Sequence, residues 1–126
     1  MSSTRERGLR YLERLIGKRP PICVAVSKLY EPDESWTGKQ AWWFDLPIQR
    51  VAQLASEDYY LVGEWGRDGF VVLRVPNQFL LENQETFDTK YGGHIRLHLA
   101  AYDENWLVDE RVSNGLDFSK FELKQD

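Results

Sequence analysis

Two β-rich runs, residues 59–65 and 70–75, flank Gly66-Arg67-Asp68-Gly69, and this arrangement constrains the fold more than any other stretch of the chain. Asp-Gly between such runs is the signature of a tight turn, so the two are expected to pair as a hairpin. Three further runs read as strands. Residues 22–26 (Ile-Cys-Val-Ala-Val) are short, apolar and β-branched, as in a buried strand. Residues 40–46 alternate, with Ala41, Trp43 and Asp45 on one face and Trp42, Phe44 and Leu46 on the other. Residues 94–100 alternate as well, sending Ile95, Leu97 and Leu99 inward and His94, Arg96 and His98 outward. A last strand is expected over 106–112, after a turn at Asp103-Glu104-Asn105.

Helices are marked by caps and prolines. Ser3-Thr4-Arg5-Glu6 has capping-box spacing, Leu9, Leu12, Leu15 and Ile16 fall on one face, and Gly17 with Pro20-Pro21 ends the helix. Arg7, Arg10, Arg14 and Lys18 make a basic stripe away from those apolar residues, and Arg14 and Lys18 have no helical acidic partner. Pro47 and Pro76 each suit the first turn of a short helix, carrying Ile48, Val51, Ala52 and Ala55 in one case and Phe79 and Leu80 in the other. Residues 30–39 read as a loop. The expected fold is therefore α+β: a mixed, largely antiparallel sheet with an N-terminal amphipathic helix and two short helices. Residues 1–126 are expected to form one globular domain. From about residue 113 the chain is a polar tail, broken by Leu116, Phe118, Phe121 and Leu123.

Charge and cysteine content narrow the function. The net charge is −4, yet residues 1–19 hold six basic groups against Glu6 and Glu13, a local +4. The other 107 residues hold ten basic and eighteen acidic groups, −8. Such a body repels polyanions at long range, so phosphate contact must be local. A single cysteine, Cys23, excludes an intrachain disulfide and a thiolate zinc cluster, and its apolar strand makes it an inert thiol. The start has no signal-peptide core, and no apolar run nears the ~20 residues that span a bilayer. A reduced, cytoplasmic setting with no membrane partner is expected.

Chemistry-bearing motifs are few. The chain has no Gly-x-Ser-x-Gly elbow, no phosphate-binding glycine loop and no dinucleotide fingerprint. His94 and His98 share a strand face, but four strand residues span ~13 Å, too far for two ligands of one zinc. Both read as surface histidines, and no catalytic residue, metal ligand or cofactor is assigned. Five tryptophans are a high load, and one or two are expected to be exposed for contact.

The segment order over about residues 22–81 resembles the restriction-endonuclease-like PD-(D/E)-x-K superfamily. The matching features are a strand ending Val26-Ser27-Lys28, the aromatic strand Ala41-Trp42-Trp43-Phe44-Asp45-Leu46, a helix, then Asp58-Tyr59-Tyr60-Leu61-Val62-Gly63 and Phe70-Val71-Val72-Leu73-Arg74-Val75-Pro76. Such nucleases hold Mg²⁺ with paired acids beside a lysine that positions the attacking water. Lys28 matches that lysine, but Val26 stands where the acid belongs and the strand bearing the first acid is missing. The resemblance thus implies a non-catalytic relative, unless Glu13 or Asp45 substitutes.

The leading expectation is a non-enzymatic accessory module that contacts nucleic acid, or a protein of a nucleic-acid-processing system. Its interface would join Arg7, Arg10, Arg14, Lys18 and Lys28 to the loop tryptophan Trp36. The alternatives are a protein-interaction domain or homodimer, formed through a sheet edge or the aromatic face, and a metal-dependent nuclease-like enzyme using Asp45, Glu64, His94 or His98.

Overall fold

The computed structural model describes residues 3–89 and 92–123. The first two residues and the last three of the expected tail lie outside that description. The elements are α1 (Thr4–Ile16), β1 (Val24–Ser27), β2 (Ala41–Pro47), α2 (Ile48–Gln53), β3 (Asp58–Trp65), β4 (Gly69–Pro76), α3 (Asn77–Glu82) and β5 (His94–Ala100). The fold is α+β with mixed, largely antiparallel pairing, as the alternation patterns indicate.

The strands divide between two sheets. β1, β3 and β4 form one, with β1 parallel to β3 and β3 antiparallel to β4; β2 and β5 form an antiparallel pair. The hairpin closes at Gly66, with Trp65 opposite Gly69. Because β3 is buried on both faces, it divides the core. Tyr60 and Val62 pack with Leu12, Val24, Phe70 and Val72 beneath α1, while Tyr59 and Leu61 face Trp42, Phe44, Leu46, Ile95, Leu97 and Leu99 of the second sheet. The layers thus run α1, three-stranded sheet, main core, two-stranded sheet. At Gly63 the two sheets pack closely, since a Cβ there would stand 2.7 Å from the Trp42 indole.

Helix α1 forms as its signals predict. Ser3 Oγ accepts from Glu6 N at 3.1 Å, and Gly17 closes the helix with a left-handed φ of 74°. Its contact with the sheet is built on Leu12 and on Gly8, which lies against Val26 and Phe70. Asn77, fully buried, ties α3 to the turn before β3 through Nδ2 donating to Leu54 O at 2.8 Å.

Four expectations fail. Ile22 is not in a buried strand: β1 starts at Val24, and Ile22 is 64% exposed. Residues 106–112 do not make a regular strand. Leu107 takes a positive φ of 63°, and the segment makes only single bridges, Leu99 with Asp109 and Val108 with Asp117. The segment after 113 does not behave as a solvated tail through residue 123. Phe118 is fully buried, and Leu123 N donates to Val72 O at 2.8 Å on the outer side of β4. Finally, His98 is buried, for reasons given below.

Sheet edges are engaged in a similar way. Tyr30 bridges Ala41 of β2, Asp88 bridges Arg96 of β5, and Glu122 bridges Leu73 of β4. A second copy adding to one of these edges would have to displace such a contact. No helix among the described residues is long and apolar enough to cross a membrane.

Candidate functional site

The structure disperses the six residues expected to share an interface. Arg10, Arg14 and Lys18 stand exposed on the outer side of α1. Arg7 instead points along the sheet, where its guanidinium meets Glu64 at 2.6 Å and lies over Phe70. Lys28 is paired to Glu34 at 2.8 Å and lies over Tyr30; the Glu34 carboxylate holds its ammonium above the usual lysine range. Trp36, 61% exposed, sits over the outer face of β2 and β5, with both sheets between it and α1. The basic stripe and the loop tryptophan therefore cannot touch one ligand patch together.

What gathers beside α1 is a groove of about 480 Å³ lined by Arg5, Leu9, Arg10, Glu13, Arg19, Pro20, Pro21, Ile22, Val24 and Arg50. Three separate segments supply its cations. Arg5 and Arg10 come from α1, Arg19 from the connector that Gly17 turns back toward β1, and Arg50 from α2. Arg50 lies near the Tyr59 hydroxyl, whose pKa is raised by burial against the opposing pull of that guanidinium. Glu13 is the single acid in the lining. The rest of the lining is apolar: Leu9, Pro20, Pro21, Val24 and the exposed Ile22. Sequence reasoning found Arg10 and missed Arg5, Arg19 and Arg50. Arg19 follows the helix stop and Arg50 lies on another helix, so only the fold brings them together.

A larger groove of about 560 Å³, lined by Leu29, Glu31, Gln40, Glu64, Trp65 and Gly66, has carboxylates that are already engaged. Glu64 accepts from Arg7 and from Leu29 N, and Glu31 accepts from Gln40 at 3.1 Å. Trp65, 38% exposed, spends much of its surface on Trp42 and Trp106, with ring centroids 5.6 and 5.1 Å away. Asp45, which could have served as a relocated acid, pairs with His94 at 2.6 Å on the opposite face of the molecule from α1. Among the described residues no three His, Cys, Asp or Glu side chains form a group able to hold a metal ion.

The other notable constellation surrounds His98. Alternation does send its side chain to the outer face of β5, but the 30–39 loop and residues 109–111 cover that face, so the ring is fully buried. Trp36 Nε1–H, a donor only, reaches Nδ1 at 2.7 Å. Nδ1 must then be the acceptor, and the neutral ring carries its proton on Nε2, donating to Ser35 Oγ at 3.3 Å. That polarity is the reverse of what a general base needs from a serine partner. Burial, with Arg111 nearby, also pushes the His98 pKa down to about 4, so the ring is a poor proton acceptor. Asp109 does not orient the ring. One carboxylate oxygen accepts from His98 N and Arg111 N, both at 3.1 Å, and burial pushes its pKa up to about 6. Ser35, His98 and Asp109 form a structural knot and not a nucleophile triad. Cys23 is likewise buried, and desolvation raises its thiol pKa.

Comparison of the chain with protein-family models, with curated proteins and with solved structures returns no match.

Proposed function

We propose that this chain is a binding module that holds a nucleic-acid phosphate backbone in the groove of Arg5, Arg10, Arg19 and Arg50. One observation carries the reading: four guanidinium groups from three segments line one groove against a single carboxylate, in a chain whose net charge is −4. Guanidinium is the cation best suited to phosphate oxygens, because its planar fork donates two parallel hydrogen bonds. Arg14 and Lys18 extend the positive face along α1. The acidic remainder of the body keeps the contact local, since phosphates elsewhere on the surface meet repulsion. Binding, not turnover, is the activity proposed, because the groove holds no paired acid and base.

A salt titration tests this. With about three net phosphate contacts, affinity should fall about 40-fold between 50 and 200 mM salt. Arg10→Ala and Arg19→Ala should each weaken binding and flatten the log–log slope by about one. Absence of binding to both duplex and single strands at low salt ends the reading.

A further inference from the structure

Resting on that reading, we infer that the groove takes paired nucleic acid, a duplex backbone, in preference to unpaired strands. Proteins that grip single strands combine basic groups with exposed aromatic rings on which bases stack. This groove has the first and lacks the second. None of its ten lining residues is aromatic, and Tyr59, whose hydroxyl meets Arg50 beneath it, is 1% exposed.

The exposed tryptophans are elsewhere. Trp36 lies over the outer face of the second sheet with its indole N–H committed to His98, and Trp65 packs against Trp42 and Trp106 at the hairpin end. A strand bound between the arginines would leave its bases without a ring to stack on. Nor does the groove offer Asn, Gln, Ser or Thr to read a base edge. Its apolar lining residues, Leu9, Pro20, Pro21 and Ile22, suit contact with the sugars of a backbone.

A site that works through charge alone favours the polymer with the denser charge. A duplex carries one phosphate per ~1.7 Å of axis against ~3.4 Å for each of its strands, and releases more counterions per contact. The cations come from α1, the 19–22 connector and α2, so a phosphate backbone lying in the groove meets guanidinium groups from three segments. With its arginines engaged on phosphates and no Asn, Gln, Ser or Thr in the lining, binding should also be insensitive to sequence.

The test is anisotropy of the full chain with a labelled ~20-base-pair duplex and with each of its component strands at low salt, while tryptophan emission is followed. The expected result is duplex binding about tenfold tighter than either strand, unchanged tryptophan emission, and equal affinity for a second duplex of scrambled sequence. Arg19→Glu, an exposed substitution, should weaken duplex binding by more than tenfold while leaving the circular dichroism spectrum intact. Strands bound as tightly as the duplex, or with quenched tryptophan, would overturn this inference and leave the phosphate-groove reading standing. A chain that binds neither form loses both.

Discussion

On the α1 side, Arg10, Arg14 and Lys18 stand in water, whereas behind β5 His98 and Asp109 are 0% and 1% exposed. The first region keeps its charges solvated and the second removes ionisable groups from solvent. The difference shows in how each group responds to its surroundings. Solvated cationic side chains retain full charge at low desolvation cost. The buried pair shifts in opposite directions, His98 down to about 4 and Asp109 up to about 6, each toward its neutral form. The face proposed for contact is solvated, and the face behind β5 is enclosed.

The largest expected effect breaks the rigid region. Gly115 lies against the Asp109 backbone so closely that a Cβ would stand 1.6 Å from its carbonyl oxygen. Gly115→Ala must displace that segment and should cost about 3 kcal/mol or more, read by urea denaturation.

Next comes the pH dependence of the buried pair. The folded chain resists protonating His98, so the stability this group provides is present above its ordinary pKa of 6.5 and lost as pH falls toward about 4. Asp109 does the reverse: the folded chain holds its proton more tightly, so stability rises as pH falls through about 6. The two offset each other in mild acid. Asp109→Asn keeps an oxygen for the two amide donors and removes the titration. The variant should lose roughly 2 kcal/mol relative to the parent as pH drops from 7 to 4. Parallel stability profiles would show that the Asp109 carboxyl titrates normally.

Trp36→Phe sharpens the comparison further. It keeps an aromatic ring but removes the N–H that holds His98 Nδ1, and should cost about 1 kcal/mol. Duplex affinity should not change, because Trp36 and the groove lie on opposite faces. The smallest effect belongs to the solvated side: Arg14→Ala should alter stability by less than about 0.5 kcal/mol.

Local signals were legible where the covalent chain itself carries them. Caps, a turn dipeptide and period-two alternation act over a few residues, and α1, the β3–β4 hairpin, the two faces of β2 and the inward face of β5 follow from them. Alternation places Trp42, Phe44 and Leu46 on one face of β2, and that face is the core. The same rule sent His98 outward and was right about direction. It missed the cover, because a second segment lying over a sheet face leaves no mark in the strand beneath it. The strand expected over 106–112 failed for a related reason. Its apolar residues turn inward at Leu107 with positive φ and cap the sheet without extending it.

The candidate site divides along the same line. Arg10, Arg14 and Lys18 were visible as a helical stripe, since 3.6-residue periodicity sets which side chains share a face. Arg7 belonged to that stripe by sequence but is taken by Glu64, a partner on another strand. Arg19 and Arg50 join the groove because Gly17 reverses the chain and α2 packs nearby.

The order of residues by itself determined the three helices, the hairpin, the two faces of β2, the inward face of β5, and a positive leading segment on a negative body, because these depend on backbone sterics and summed charge. Only the tertiary structure decided that the strands split into two sheets, that His98 is enclosed, and that four arginines meet in one groove with no aromatic residue in its lining. Those outcomes depend on which distant surfaces bury one another, and burial is a property of the packed chain as a whole.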